Sequence, residues 1–292
     1  METLLPFKML DGLENAYVLD GAVAAVRQMV RQVIRPGPVK DILHGVPTGH
    51  PVHPLAVQIP IGAWTSAVFL DFVPGASTAS RVLIAVGLAS AAPAVLSGLA
   101  DWLELHPQHQ RVGLVHSAAN ATGALLFGAS LVLRCTKRNR AGTIASAAAL
   151  AIVAFGGTLG GQLAYRLAAG ANHAESVPHL VSSGWHPVDR LANIAPGKLT
   201  KRMVGEVSVL VWRVANGQAT VLSNECSHLS GPLSDGEVLE VKGVPCVECP
   251  WHGSRFSLAT GQVTGGPATS PQAFFETRVV EGVLEARLPH AG

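Results

Sequence analysis

The chain has 292 residues, of which 48% are hydrophobic and only 14% charged. Soluble domains usually carry about 25% charged residues, so this apolar excess calls for a membrane or a very large core. A formal net charge of +2 gives no electrostatic case for nucleic acid, and four cysteines are too few for a disulfide framework in a chain of this length.

Residues 1–50 show no secretory signal pattern: there is no short apolar core behind a basic start and no small-residue cleavage site. Residues 15–35 read as an amphipathic helix. Val23, Val26, Val30, Val33 and Ile34 recur at helical spacing, while Arg27, Arg31 and Arg35 form an i, i+4 row. A helix lying in a membrane interface and a helix packed on another domain both fit this pattern.

Four apolar segments follow, at 55–73, 82–100, 113–133 and 142–165. Each approaches the roughly 20 helical residues that a bilayer core requires, which predicts a four-helix transmembrane bundle. The segments are rich in Ala, Gly and Ser, with small-xxx-small pairs at Gly156/Gly160 and Gly157/Gly161. Polar residues cluster where the first segment opens (His50, His53), where the second closes (Asp101, His106, His109) and where the third opens (His116, Asn120). With four spans these places share one side of the membrane, and the chain after the fourth span emerges on that side too.

This half resembles the DUF2231 family, a bacterial membrane domain with no agreed activity. The resemblance rests on the His-Pro before the first span, Pro60-Ile61-Gly62, Asp71, Gly98 with Asp101-Trp102, His116 with Asn120, Arg134, Gly160-Gly161 and Tyr165-Arg166. It implies an architecture and little chemistry. His50, His53, His106 and His109 are expected in interfacial loops, where a solvated histidine needs no explanation. His116 enters a span, and ionisable groups inside a membrane are usually functional. Its candidate roles are haem ligand, proton relay and quinone contact. His53, Asp101, His116 and Asn120 thus form a candidate redox or proton site, and His53 with His116 is a candidate haem b pair. Asp71 and Asp101 serve either proton transfer or helix capping.

After a linker at 171–180 the pattern turns to β. Residues 205–224 alternate around Asn216-Gly217, a hairpin turn signal, and residues 275–288 read as strand, glycine, strand. The division expected is therefore an N-terminal region with an amphipathic helix (1–49), a four-helix membrane domain (50–170), the linker, and a small antiparallel β domain (181–292): an α + β, two-domain chain.

The β domain carries the strongest motif. Cys226-x-His228 is separated by 20 residues from Cys249-x-x-His252. Two interleaved Cys/His pairs on short loops suit two adjacent metal ions. Structural zinc is the rival, although zinc sites usually group like ligands as C-x₂-C and H-x₃-H. Gly231-Pro232-Leu233 follows the first pair. Gly253-Ser254, Phe256, Thr260-Gly261 and Gly266-Pro267-Ala268 follow the second. Across about 110 residues this resembles the Rieske ferredoxin family. The resemblance implies a [2Fe–2S] cluster, with Cys226 and Cys249 on the inner iron and His228 and His252 on the outer iron, at an open tip. Gly231 and Trp251 stand where respiratory Rieske proteins carry a bracing disulfide. Ser254 matches a hydrogen-bond donor of that class, and Phe256 replaces its tyrosine. A ferredoxin-type cluster of low to middling potential is implied. Cys246, three before Cys249, is expected to be a strand residue rather than half of a redox pair.

The function expected is membrane-anchored electron transfer, with the lipid bilayer, a redox protein donor or acceptor, and a quinone as partners. A quinone- or haem-linked oxidoreductase using His116, and a redox-sensing membrane protein, are the alternatives. A Rieske oxygenase would need a second iron held by two His and a carboxylate, normally in a large domain after the cluster. Only 40 residues follow His252, with one histidine, His290. Basic residues lie on both sides of the spans, and no Arg-Arg pair marks a twin-arginine signal. The cluster domain is accordingly expected in the cytoplasm of a multi-pass protein of the cell membrane.

Overall fold

The structure, a computed structural model, describes residues 12–214 and 217–289. His290 and Asn216 lie outside the described residues. The chain forms two compact units. One runs to Leu43 and resumes at Pro51–Ala169; the other comprises His44–His50 and the chain from Gly170 onward.

The first unit is helical. Helix α1 (Asp20–Val33) buries most of its apolar stripe: Val23, Val30 and the following Ile34 pack with Ala100, Trp102 and Leu103, while Val33 is exposed. Arg111 fixes the start of α1 by bonding Asp20 at 2.6 Å and lying over the Tyr17 ring. A short α2 (Pro38–His44) follows.

Helices α3 (Val52–Ala56) and α4 (Gln58–Leu70) occupy the first apolar segment. They are followed by α5 (Ser77–Leu103), α6 (Pro107–Cys135) and α7 (Asn139–Gly161), which a π-helical turn extends over Gln162–Arg166. Among the described residues, three helices are long and apolar enough to cross a membrane: Ser77–Leu103, Pro107–Cys135 and Asn139–Arg166. The first of the four expected spans is not among these three, so a bundle of four spans is not confirmed. In the first segment α3 and α4 meet at Val57, which keeps helical backbone and bonds both ways, while Pro60 has no N–H to donate to the carbonyl of Ala56.

The histidines expected in loops also divide differently. His53 lies within α3 and His109 within α6, where it is buried, while His106 caps α6. The cause is the neighbouring proline. Pro107 takes the first position of α6 and Pro54 the first turn of α3, where a missing N–H costs nothing, so both His-Pro pairs start helices. The unit's core holds Trp64, Ala67, Ile84, Phe127, Ala149 and Val153. Large apolar side chains such as Phe69, Leu125, Val132 and Ile144 face outward.

The second unit is an antiparallel β domain. A six-stranded sheet has the order β1-β10-β9-β4-β3-β2, and a four-stranded sheet the order β5-β6-β7-β8. The strands of the first are β1 (His186–Arg190), β2 (Leu199–Val204), β3 (Val207–Arg213), β4 (Ala219–Ser223), β9 (Phe274–Val280) and β10 (Val283–Arg287). Those of the second are β5 (Glu237–Val241), β6 (Val244–Glu248), β7 (Arg255–Ser257) and β8 (Val263–Gly265). The β9–β10 hairpin turns through Glu281 and Gly282, both at positive φ, as a two-residue turn with the strand's own twist demands. At the β3–β4 connection Gly217 has φ +90° and donates to the carbonyl of Val214.

Strands β3 and β4 separate two cores. Val207, Val209, Val211 and Val221 face one, and Leu210 and Leu222 face the other, which also contains Cys226, Cys249 and Phe256. Alternation along a strand sends neighbours to opposite faces, so one hairpin serves both cores. Ala174 and Val177, in the stretch expected to be a linker, are buried in the first core, and a short helix α8 (Val177–Leu180) forms there.

Candidate metal centre

Two loops carry the four candidate ligands. Cys226 and His228 lie between β4 and β5; Cys249 and His252 lie between β6 and β7. The loops fold alike. The amide of Cys226 donates to the carbonyl of Gly231 at 2.9 Å, and its carbonyl accepts from Ser230 at 2.8 Å. The amide of Cys249 donates to the carbonyl of Ser254 at 2.8 Å, and its carbonyl accepts from Gly253 at 3.1 Å. Each turn needs one left-handed residue, Ser230 (φ +59°) and Gly253 (φ +73°).

The two sulfurs are buried and a hydrogen bond apart. The Cys226 thiol donates to the Cys249 sulfur, which holds the Cys249 thiol below its ordinary value; the amides of Trp251 and His252 help. The same contact, with burial, pushes the Cys226 thiol up. The Cys226 sulfur also accepts from the His228 amide and from the hydroxyl of Ser254. A buried sulfur pair surrounded by N–H and O–H donors is built to carry negative charge, which a bound iron would balance in place of the shared proton.

The imidazoles of His228 and His252 meet on their own, with ring centroids 5.2 Å apart and planes at 83°. Among the described residues, no three His, Cys, Asp or Glu side chains converge on one point. The ligands split two and two. Two irons of a [2Fe–2S] cluster fit that division, and a single tetrahedral zinc does not. Close approach supports the same fit: a Cβ added to Gly231 would lie 2.7 Å from the Cys249 sulfur.

The tip is less open than the sequence suggests. His252 and Trp251 are partly exposed, whereas His228 is only 7% exposed. The residue before it is tied on two sides: the carbonyl of Ser227 accepts from the His173 amide at 2.9 Å, and its hydroxyl donates to the carbonyl of Ser270 at 2.7 Å.

Ser254 takes the expected place and also accepts from the Ala268 amide. Phe256 is fully buried in the cluster-side core. Cys246 is buried in β6 and accepts from the Thr264 hydroxyl, as an ordinary strand residue would. Sequence reasoning missed Asn224. Its side chain donates to Ser208 and accepts from the Ser234 amide at 2.8 Å, so it braces the first loop where no disulfide does. Its position directly after a strand, where Asn side chains commonly bond nearby backbone, was the available signal.

In the helical unit His53 and His116 come together, with ring centroids 6.3 Å apart. Asn120 donates to the carbonyl of His116 at 2.9 Å, and Asp101 lies in the last turn of α5.

Two family descriptions match the chain: a Rieske [2Fe–2S] domain over residues 184–280, and a predicted membrane protein domain, DUF2231, over 49–173. The anthranilate 1,2-dioxygenase ferredoxin subunit of Burkholderia cepacia is 28% identical over 104 residues, which is 36% of this chain and 92% of that protein. Ferredoxin CarAc of Metapseudomonas resinovorans is 31% identical over 99 residues, covering 34% of this chain and 88% of the relative. Among solved structures, the ferredoxin of carbazole 1,9a-dioxygenase from Nocardioides aromaticivorans IC177 is 27% identical, covers 37% of this chain and 100% of its own, and has a TM-score of 0.33. The chain therefore belongs to the Rieske [2Fe–2S] family and carries a DUF2231 domain ahead of its cluster domain.

Proposed function

We propose that this protein is a membrane-anchored iron–sulfur protein that carries single electrons between a redox donor and an acceptor at the membrane. The observation that carries the reading is the buried Cys226–Cys249 sulfur pair set beside the His228–His252 imidazole pair, with His252 partly exposed next to Trp251. The cluster, when bound, supplies reversible uptake of one electron. Cys226 and Cys249 would hold one iron as thiolates and His228 and His252 the other. The Ser254 hydroxyl and the loop amides steady the charge at the sulfurs, and Leu233, Phe256 and Leu258 keep water from that side. His252 and Trp251 form the face that a redox partner would touch. The likeness to ferredoxin subunits of dioxygenases supports a protein partner.

Membrane anchoring is supported by the three apolar helices, by their outward apolar side chains and by the DUF2231 match. In this reading the chain is multi-pass and the cluster domain is cytoplasmic; a reporter fused after Gly292 that works only outside the cell reverses that side. The His53–His116 pair favours a second reading, in which the helical unit is itself a redox station that exchanges electrons with a quinone or haem.

The deciding experiment is an EPR spectrum of the detergent-purified protein, oxidised and reduced. A Rieske signal that disappears in Cys226→Ser supports the carrier reading. Zinc in place of iron by metal analysis removes it.

A further inference from the structure

The helical unit is an internal repeat. His53, Trp64 and Asp71 of the first half stand 63 positions before His116, Phe127 and Arg134 of the second. Each residue touches its own counterpart. The His53 and His116 rings lie 6.3 Å apart, the Trp64 and Phe127 rings stack at 4.7 Å, and Arg134 bonds both oxygens of Asp71 at 2.6 and 2.5 Å. Contacts at one constant offset are those that two halves related by a local two-fold axis make. These three levels follow one another along the helices, so the axis runs along them.

The repeat extends to how each imidazole is held. His53 Nδ1 is 2.8 Å from the carbonyl of Ala94, and His116 Nδ1 is 2.8 Å from the carbonyl of Gly156, 62 positions further on. In each case a glycine four residues past that carbonyl lets the ring lie against the helix. A Cβ at Gly98 would be 2.7 Å from the His53 ring, and one at Gly160 would be 3.1 Å from the His116 ring. A carbonyl oxygen only accepts, so both Nδ1 atoms carry a proton, and an imidazole held this way, when neutral, has its lone pair on Nε2. The Asn120 amide donates its short bond to the His116 carbonyl at 2.9 Å and shares a long 3.4 Å contact between both ring nitrogens, a weak hold on Nε2 that a metal ion would replace.

An imidazole whose Nδ1–H is anchored on a backbone carbonyl is the usual form of a metal-ligating histidine. Two imidazoles on opposite sides of one metal, at metal–nitrogen distances of about 2.0–2.1 Å, bring their ring centroids to roughly 6–6.5 Å. The pair observed at 6.3 Å falls in that interval. The number of ligands then selects the metal. Among the described residues no third His, Cys, Asp or Glu joins the pair. A bare zinc ion takes three or four protein ligands, whereas a haem iron takes one or two, because the porphyrin supplies the rest. We propose that His53 and His116 are the axial ligands of a b-type haem held on the internal two-fold axis of the helical unit. This rests on the second reading of the helical unit, which it makes specific, and not on the iron–sulfur centre.

The test is the visible absorption spectrum and haem content of the full-length protein, purified in detergent from cells given a haem precursor and then titrated with haemin. The expected result is about one low-spin haem per chain. His53→Ala and His116→Ala should each lose it at least tenfold or turn it high-spin, while His50→Ala and His106→Ala retain it. Free imidazole should restore the low-spin spectrum to His116→Gly. The Rieske EPR signal, read in the same samples, reports separately on the other unit, so loss of one reading is distinguishable from loss of the other. If the alanine variants fail to fold, His116→Met should keep haem with an altered spectrum. No haem uptake by the wild type, an unchanged spectrum in these variants, or a bare metal ion at the site would each overturn the proposal.

Discussion

Trp64 and Phe127 stack nearly parallel, 4.7 Å between centroids and 12° between planes, at equivalent places in two halves of one helical unit. The stack fills the core between two polar levels, the His53–His116 pair and the Asp71–Arg134 pair. A two-fold axis explains why two chemically different residues face each other: the backbone positions are alike, and the side chains have diverged to complement one another. At one end divergence yields opposite charges; at the other, identity yields two matched imidazoles.

The ion pair should be the unit's most sensitive polar contact. Asp71 and Arg134 side chains are 2% and 3% exposed, and Ser80 and Ser146 complete their hydrogen bonds. Asp71→Asn would leave a buried guanidinium without its counter-charge, at a cost of about 3–5 kcal/mol. The double replacement Asp71→Leu with Arg134→Leu should recover most of this. The axis makes a sharper forecast: the exchange Asp71→Arg with Arg134→Asp should be more stable than either single change. Thermal unfolding of the full chain in detergent, followed by helical circular dichroism, gives the ranking. An exchange variant no better than its singles contradicts the repeat.

Gly231→Ala should lower cluster occupancy severalfold with little effect on the helices. Its new methyl group would meet the Cys249 sulfur at 2.7 Å and the Trp251 ring at 3.1 Å, and neither neighbour is the end of a flexible chain. Iron and sulfide per chain, together with EPR spin count, measure this. Full occupancy would mean the second loop moves more freely than its hydrogen bonds imply.

The sequence reveals the two units unevenly. Cluster chemistry demands Cys and His at short fixed spacing, so Cys226, His228, Cys249 and His252 stand out in the bare chain. The Glu281-Gly282 turn is equally visible, because only certain residues tolerate positive φ. The repeat is hidden for the opposite reason. Trp faces Phe and Asp faces Arg, while the surrounding Ala, Gly and Leu are common to any apolar helix. The division of the first segment into α3 and α4 hides in an apolar run, since it comes from one proline's missing donor. Ala174 and Val177 lie in a stretch without period, so nothing local indicates that they reach a core.

Asp189 links β1 to β2 through Arg202 at 2.6 Å and also accepts from Asn193 and from the Arg190 amide. The Asn193 and Arg202 side chains hold its carboxyl below the usual carboxylate value. A lowered folded-state pKa adds stability that is complete above the unfolded value, about 3.9, and is lost as pH falls through the folded one. Solvent reaches this pair, so Asp189→Asn should destabilise the β domain by no more than about 1 kcal/mol at pH 7. The gap from wild type should stay constant from pH 8 to pH 5 and narrow below pH 4. Unfolding midpoints of the two proteins across that range test it, and a gap that widens in acid would reverse the sign.

Ser254→Ala isolates the tuning of the cluster. The hydroxyl donates to the Cys226 sulfur, and the reduced cluster, being more negative, gains more from that donor than the oxidised one does. Removing it should therefore lower the reduction potential. A hydrogen bond to a charged group contributes about 1.5–3 kcal/mol, and only part of that differs between the two redox states, so the fall should be on the order of 50–100 mV for one electron. Ser254→Thr keeps the donor and should remain near the wild-type value. An EPR-monitored redox titration of the full chain reads both. A potential that rises in Ser254→Ala, or stays put while Ser254→Thr moves, would assign the residue to packing against Ala268 and not to the sulfur.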